Sequence, residues 1–261
     1  MIEKKTAVGK PADDFIRIQD LWGMFVPRWH WFALSLFAAL AVAAFYLLST
    51  PNIYTRTAAI LVKDDTKSGS STTMSEFSDL GIFKSNTNIN NELLTLKSPT
   101  LMTEVVRRLG LNETYTVRKG LKDVGLYKSN PVAVSYRHQD ETPVSFKIDF
   151  SSKEEFTISD VMINGEELET EFSGKMGDSI RMEVGTFVIN PTKYWNDSFV
   201  GTSIRYNKGS VRAVTDYYAT ALRADLGNED ATIINLSIDD VSIPKAEDIL
   251  NTLIEVYNEK W

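Results

Sequence analysis

A long uncharged apolar run near the start of the chain constrains its fold more than any other feature. No formally charged residue occurs from Trp29 to Thr55, and residues 31–49 read WFALSLFAALAVAAFYLLS. About 20 consecutive apolar residues are enough for a helix to cross a bilayer. Aromatic rings near both ends suit the headgroup region, and Pro51 favours a stop. We therefore predict a transmembrane helix over residues 29–50.

Two other interpretations of this run are weaker. A cleaved signal peptide has a short basic segment ahead of its apolar core, whereas residues 1–28 carry charges of both signs. A buried core helix usually shows a polar stripe, and this run has none. We expect residues 1–28 to be a cytoplasmic segment in which Phe15–Trp29 lies amphipathically against the membrane surface.

The charges that flank the run do not fix its orientation. Lys and Arg are balanced within about 20 residues on either side: Lys10, Arg17 and Arg28 precede it, and Arg56, Lys63 and Lys67 follow it. A short N-terminal segment cannot fold alone, and long domains translocate largely regardless of charge. The main body is therefore expected on the far side of the membrane from the cytoplasm.

Charge and residue content exclude several classes of function. The 261 residues carry 28 Lys and Arg against 35 Asp and Glu, a formal net charge of −7. Such a chain has no net positive field to attract nucleic acid, so no nucleic-acid partner is expected. It contains no cysteine and two histidines, which leaves little for a metal site. We expect no metal and no other cofactor.

Asn90–Leu111, NNELLTLKSPTLMTEVVRRLGL, predicts two short helices broken at the proline. Ser98 is a good N-cap, Pro99 suits the first helical position and Gly110 suits the end of the helix. Apolar residues at helical spacing are Leu101, Met102, Val105, Val106 and Leu109. Between the apolar run and this pair, YTRTAAILV alternates with period two and predicts a strand.

Short alternating runs fill residues 120–200 and predict strands. Asn164-Gly165 is a strong two-residue hairpin signal, and EVGTF around Gly185 is a weaker one. Several short strands this close together favour an inserted β-sandwich or jelly-roll-like module.

The last 60 residues return to mixed structure. GSVRAVTDYY predicts a helix, and TALRADL and ATIINLSIDD predict a hairpin across GNED. Pro244 marks the start of a final helix whose apolar stripe is still running at Trp261. The pattern fits a truncated longer protein as well as a natural chain end.

No catalytic pattern stands out. The chain has no GxSxG, HExxH, GxGxxG or Walker motif, which argues against the corresponding enzyme classes. Adjacent acids such as Glu154-Glu155 and Asp239-Asp240 occur at strand ends, where neighbouring side chains point to opposite faces and solvated acids are ordinary. We expect no enzymatic activity and no catalytic residue in this chain.

Aromatic residues offer one candidate for sugar contact. Tyr194-Trp195 could stack on sugar rings, which makes both residues candidates for sugar binding. Aromatics in β-rich domains are mostly core residues, and the core interpretation is the stronger of the two.

The order of elements resembles the Wzz-type chain-length determinants, also called polysaccharide co-polymerases. The resemblance is carried by the apolar run, YTRTAAILV, LLTLKSPTLMTEVVRRL, the last hairpin and AEDILNTLIEVYNE. It is strongest to the large forms fused to a cytoplasmic tyrosine kinase in Bacteroides-like bacteria. The chain lacks the long coiled helix, the second transmembrane helix and the kinase motifs of that family, so any kinase activity would lie outside it.

The resemblance implies an α+β fold: a membrane-proximal α/β domain from residues 51–119 and 201–261, with residues 120–200 inserted. It implies an inner-membrane protein in the lipid bilayer, with a cytoplasmic N-terminus and a periplasmic body. Copies would form a homo-oligomeric ring that governs the length and export of capsular, O-antigen or exopolysaccharide chains. The expected partners are the polysaccharide, its polymerase and the outer-membrane export machinery.

Three charged residues of the second helix are candidates for the subunit interface: Glu104, Arg107 and Arg108. We expect the helical pair to pack over a sheet made from Tyr54–Lys63 and the strands near Leu222 and Ile234, with these charges facing the next subunit. The alternative is an ordinary solvated helix face. Two other functions stay open, a membrane-anchored carbohydrate-binding module and a periplasmic sensor domain.

Overall fold

The computed structural model describes residues 28–62, 86–136, 142–182, 185–227 and 233–260. The chain divides into two compact units, residues 1–50 and residues 51–261. The predictions for residues 1–27, for residues 228–230 of the GNED turn and for Trp261 lie outside the described residues.

The first unit contains the predicted apolar helix. Helix α1, Trp29–Ser49, has 21 residues and no buried side chain. It is the one helix in the described part of the chain that is long and apolar enough to cross a membrane, with a mean hydropathy of 2.2. It ends where Thr50 turns to extended backbone, and the Thr50 N–H still donates to the Tyr46 carbonyl at 2.9 Å.

The second unit contains four α-helices, one 3₁₀-helix (Asp197–Phe199) and thirteen strands within the described residues. The helices are α2 (Asn86–Leu96), α3 (Pro99–Leu109), α4 (Val211–Ala221) and α5 (Ile243–Lys260). The strands are β1 (Tyr54–Leu61), β2 (Glu113–Lys119), β3 (Lys122–Gly125), β4 (Val132–Tyr136), β5 (Val144–Phe150), β6 (Glu155–Ile163), β7 (Glu166–Leu168), β8 (Phe172–Lys175), β9 (Ser179–Met182), β10 (Gly185–Pro191), β11 (Ser203–Lys208), β12 (Arg223–Leu226) and β13 (Ile233–Asp240).

Three strands form the sheet of an α/β layer. β13 lies between β1 and β12, and both pairings are antiparallel. The β1–β13 register runs from Tyr54 opposite Asp240 to Leu61 opposite Ile233. Alternate residues of β13 are fully buried, as the predicted alternation requires: Ile234, Leu236 and Ile238. The predicted hairpin pairing of the last two strands is confirmed.

Four helices pack on the same core as this sheet. Ser98 caps α3 by accepting a hydrogen bond from the Thr100 N–H, and Gly110 ends it in the left-handed region at a φ of 61°. The buried stripes of α3 and α5 share one cluster with β12 and β13, and they comprise Leu101, Met102, Val105, Val106, Ala246, Ile249, Leu250, Leu253 and Val256. The helical pair and this sheet share one hydrophobic core, within which α3 packs mainly against α4 and α5.

The other strands form a sandwich of two antiparallel sheets. The larger sheet has the order β3-β2-β11-β5-β6-β7, with β8 also paired to β6, and the smaller has the order β4-β10-β9. Inward-facing residues of both sheets share one core, in which the Phe146 and Phe187 rings stack 5.3 Å apart. The predicted turn is present: Asn164 and Gly165 both have positive φ, 51° and 89°, between β6 and β7.

The sandwich extends on both sides of the predicted 120–200 segment. β2 and β11 pair with each other, and β11 also pairs with β5, so both strands belong inside the large sheet. The reason is that a strand is placed by its partners, which lie far away in the sequence. The strand-rich part therefore runs from Glu113 to Lys208.

Two sets of contacts join the sandwich to the α/β layer. Where the chain leaves and re-enters the layer, the Gly209 N–H donates to the Asn112 carbonyl at 2.8 Å. After β3, the Tyr127 hydroxyl donates to Asp248 of α5 at 2.7 Å, and the Lys128 ammonium lies 2.6 Å from the same carboxylate. The two cores are thus tied at the strand ends and at α5.

Candidate functional site

Two neighbouring arginines in the last turn of α3 have different surroundings. The Arg108 guanidinium donates to Glu104 one turn earlier at 2.9 Å and to both carboxylate oxygens of Glu259 on α5 at 2.9 and 2.6 Å. The hydrogen bond to Glu259 and then the one to Glu104 raise the pKa of Arg108 above its ordinary value. Two of the three predicted interface residues are therefore bonded within their own chain.

Arg107 has no such pairing. It is exposed, and it makes no ion pair or hydrogen bond through its side chain with any residue in the described ranges. Instead it lines a cavity of about 680 Å³ between the end of α3 and the sandwich. The described lining comprises Arg107, Gly110, Asn112, Glu113, Val134, Ser135, Tyr136, Lys208, Gly209 and Val211.

A buried lysine and a carboxyl lie in the wall of this cavity. Lys208 is 6% exposed, and its ammonium lies 4.1 Å from the centre of the Tyr136 ring, within the range of a cation–π contact. Lys208 is directly opposite Glu113 in the β11–β2 register. Burial raises the pKa of the Glu113 carboxyl, and the positive charge of Lys208 opposes that shift. The cavity wall thus combines a buried cation, Lys208, with the exposed cation of Arg107 and the half-buried carboxyl of Glu113.

Three tyrosines, Tyr115, Tyr136 and Tyr206, pack against one another next to Lys208. The Tyr206 ring is fully buried, 5.1 Å from the Tyr115 ring and 6.4 Å from the Tyr136 ring. Tyr115 accepts a hydrogen bond from the Val134 N–H at 2.9 Å, and burial raises the pKa of Tyr136 to about 12. The Tyr206 hydroxyl interacts with Tyr136 and with Glu113, and these hydrogen bonds lower the pKa of both partners against the larger effect of burial.

The two aromatic candidates for sugar contact lie elsewhere and are unlike each other. Trp195 is half-buried, with its ring 4.7 Å from that of Phe150 and 6.1 Å from that of Phe199. Tyr194 is 42% exposed, and the Lys193 ammonium lies 5.0 Å from its ring centre. The core contacts of Trp195 favour packing as its main role, and neither residue lines the cavity beside Arg107.

A second polar hollow lies on the large sheet. It has a volume of about 270 Å³ and is lined by Thr116, Arg118, Asp123, Lys147, Asp160, Ser203 and Arg205. Its charges are already partly paired, since Lys147 lies 3.1 Å from Asp149 and Arg205 lies 3.6 Å from Asp160. No three His, Asp or Glu side chains in the described part of the chain are grouped as a metal would require.

The Wzz family model, described as chain length determinant protein, matches residues 14–109. This stretch of the chain is similar to a Wzz domain. The matched stretch includes α1, β1, α2 and α3, although its residues 14–27 and 63–85 lie outside the described ranges. The Wzz match supports a role in determining polysaccharide chain length, and together with α1 it is consistent with an anchor in the inner membrane.

Comparison with solved structures adds no fold assignment to the Wzz match. Two crystal forms of FlgL from Xanthomonas campestris are 13% identical to this chain, with TM-scores of 0.19 and 0.16. The matches cover 56% and 57% of this chain, and they span less than half of the FlgL chains, 40% and 45%. TM-scores this low do not indicate a shared fold. No curated protein matches the sequence.

The sequence prediction identified one lining residue of the cavity, Arg107, and missed the others. A signal for Lys208 was present, because the alternation of β11 places it on the same face as Ile204 and Tyr206, which are fully buried. A lysine at an inward position of a strand is unusual. The closeness of Arg107 to Lys208 has no such signal, since it depends on how α3 packs beside the sandwich.

Proposed function

We propose that the chain is the membrane-anchored scaffold of a polysaccharide co-polymerase and that it regulates the length and export of capsular, O-antigen or exopolysaccharide chains. The observation that carries this proposal is the Wzz match over residues 14–109, which joins the apolar helix to the strand and helices of the α/β layer. The proposed role is structural, and catalysis is left to the partner polymerase.

The proposal places the N-terminus in the cytoplasm, α1 in the inner membrane and residues 51–261 in the periplasm. The α/β layer would then lie near the membrane, because β1 begins only a few residues after α1. The polymer, its polymerase and the outer-membrane export machinery would be the partners. Fusion to a cytoplasmic tyrosine kinase in the parent protein is part of the same proposal and is supported by the sequence resemblance alone.

Several copies would form a ring, and the charged edge of α3 is the proposed contact. Arg108 would keep Glu259 as its own partner, because a bidentate pair is favoured over a single new contact. Glu104, which the hydrogen bond from Arg108 holds in place, would then carry the contact between subunits. This edge is the best-supported interface because α3 lies inside the Wzz match.

Mass photometry of the full chain in detergent tests the assembly. The wild-type protein is expected to be an oligomer, and Glu104→Gln is expected to weaken it by removing the charge from this contact. Glu167→Gln, which makes the same charge change on an exposed strand position, is the matched control. A wild-type monomer at all concentrations would overturn the ring, and equal effects of both variants would remove α3 from the interface.

Deletion of the gene in its own bacterium tests length control. The surface polysaccharide, separated on a gel, is expected to lose or redistribute its long chains, and the full gene is expected to restore them. An unchanged profile would favour the sensor or carbohydrate-binding alternatives.

A further inference from the structure

The cavity beside Arg107 has the chemistry of a binding site for an acidic sugar. Its volume of about 680 Å³ is within the range of roughly 300–1,000 Å³ that is typical of small-ligand sites. We infer that it binds a carboxylate-bearing saccharide unit, with Arg107 and Lys208 on the carboxylate and the neighbouring polar groups on the sugar hydroxyls. This inference goes beyond length control, because it names the charge class of the polymer that the protein would contact.

Among the described lining residues, two cations have complementary properties. Arg107 presents a planar guanidinium that makes no pair with the described residues, and this geometry suits bidentate contact with a carboxylate. Lys208, which already lies over the Tyr136 ring and opposite Glu113, adds a second positive charge from a residue only 6% exposed. Attraction between charges is stronger at low solvent exposure, so a carboxylate beside Lys208 would gain more than one beside an exposed cation alone.

The remaining lining distinguishes a sugar acid from a phosphate. Asn112 and Ser135 offer a side-chain amide and a hydroxyl, and the Glu113 carboxyl can accept hydrogen bonds from sugar hydroxyls. Glu113 also adds negative charge to the cavity wall, which disfavours a doubly charged phosphate more than a singly charged carboxylate. A hydroxyl-rich monoanion matches two cations and one acceptor better than either a neutral sugar or a phosphate does.

The backbone leaves room for such a ligand. Gly110 and Gly209 line the cavity without side chains, and a Cβ placed on Gly110 would have no atom within 4 Å. Gly110 is required there by the left-handed end of α3. Gly110, which ends α3, therefore also leaves space for a ligand at one wall of the cavity.

Isothermal titration of the full chain in detergent tests the site. The probe is tetragalacturonate, and its methyl ester is the matched neutral ligand. The acid is expected to bind and the ester to bind far more weakly. Arg107→Gln is expected to weaken binding of the acid by roughly ten- to hundredfold, the effect of removing a charged hydrogen-bond partner. Arg118→Gln, an equal charge change outside the cavity, is expected to have no effect.

Lys208→Met provides the second variant, because it keeps the buried stem and removes the charge. It is expected to weaken binding of the acid about as much as Arg107→Gln does. Because Arg107 is exposed, the Arg107→Gln variant tests the site even if Lys208→Met fails to fold. Equal binding of acid and ester, equal losses in Arg107→Gln and Arg118→Gln, or no binding would each overturn the inference. Competition by inorganic phosphate at similar concentration would make this a general anion site and overturn the sugar assignment.

A negative result in the titration and a negative result in the polymer gel are independent of each other. Titration measures contact with a defined oligosaccharide and does not depend on polymer length. A deletion strain with an unchanged polymer profile would remove length control while leaving the binding result intact.

Discussion

The α/β layer and the sandwich are assembled from the chain in opposite ways. In the layer, β1 pairs with β13 across most of the chain, with Tyr54 opposite Asp240. In the sandwich, β5, β6 and β7 pair in sequence order, and β9 pairs with the next strand, β10. Loop closure between distant segments costs conformational entropy. The sandwich can therefore begin to form from local hairpins, although β2–β11, β5–β11 and β4–β10 pair over longer separations. The layer depends on its two halves being brought together.

The sandwich itself brings those halves together. β2 and β11 pair with Glu113 opposite Lys208, and the Gly209–Asn112 hydrogen bond follows directly. Once the sandwich is folded, the ends of α3 and α4 are held side by side. The inserted strands therefore act as a clamp, in the sense that they hold together the two halves of the α/β layer, which includes part of the Wzz match.

Truncation of the two cores gives the largest expected effects and would break the comparison most directly. Phe146→Ala in the sandwich and Leu236→Ala in the layer both remove fully buried side chains, and we expect losses of about 3–5 and 2–5 kcal/mol of stability, respectively. Hydrogen exchange followed by mass spectrometry resolves the two regions. Phe146→Ala should expose both regions, and Leu236→Ala should expose the layer alone. Equal exposure of the sandwich by Leu236→Ala would contradict the clamp.

The next largest loss of stability is expected around Asp240, a buried carboxylate of the α/β layer. Asp240 accepts hydrogen bonds from the Tyr218 hydroxyl at 3.2 Å and the Ser242 N–H at 2.8 Å, and the Lys245 ammonium lies 3.0 Å away. Its side chain is 4% exposed. Lys245→Ala would leave this charge without its cation, and we expect a loss of about 3–5 kcal/mol in urea unfolding.

The sandwich provides the matched control for that variant. Asp149 is paired with Lys147 at 3.1 Å, with the two side chains 35% and 34% exposed. Lys147→Ala should cost at most about 1 kcal/mol, because ion pairs open to solvent contribute little. Comparable losses of stability in Lys245→Ala and Lys147→Ala would mean that burial does not determine how much these ion pairs contribute.

Trp195→Ala and Tyr194→Ala should differ in their effect on stability, measured by urea unfolding. Trp195→Ala removes contacts with the Phe150 and Phe199 rings, and we expect about 1–3 kcal/mol, below the range for a fully buried aromatic. Tyr194→Ala should change stability little, since that side chain is exposed. A stable Trp195→Ala protein that no longer binds polysaccharide would instead support the sugar-contact hypothesis for this pair.

A smaller effect is expected in the pH dependence of stability. Burial raises the pKa of Glu113 above 4.5, so the folded protein holds this proton to higher pH than the unfolded chain does. The contribution of Glu113 to stability therefore falls as pH rises from about 4.5 to the folded pKa and is constant above it. Unfolding of Glu113→Gln should lack this fall. A difference between variant and wild type that is flat with pH would contradict the shift.

The smallest effect is expected at the helix edge. Arg108→Gln breaks the bidentate pair with Glu259, and exposed pairs are worth about 1 kcal/mol or less and are screened by salt. Arg107→Gln should change stability even less, because Arg107 makes no pair with the described residues. The difference between the two variants, measured by urea unfolding at low salt, should disappear at high salt.

Local chemistry could be predicted from the sequence and long-range pairing could not. The Ser98 cap, the Gly110 end and the Asn164-Gly165 turn depend on nearby residues, and all three are present in the structure. The membership of β2 and β11 in the large sheet was missed, because alternation identifies a strand without naming its partner. The cavity was missed for the same reason, since it forms where α3, β4 and β11 meet.

The length distribution and the total amount of surface polysaccharide, measured together in a strain that lacks the gene, test the central claim most directly. If the protein determines chain length, the preferred length should disappear while the total mass of repeat units is retained, and the full gene should restore the preferred length. A fall in total mass with the preferred length unchanged would contradict the account and assign the protein to synthesis or its regulation.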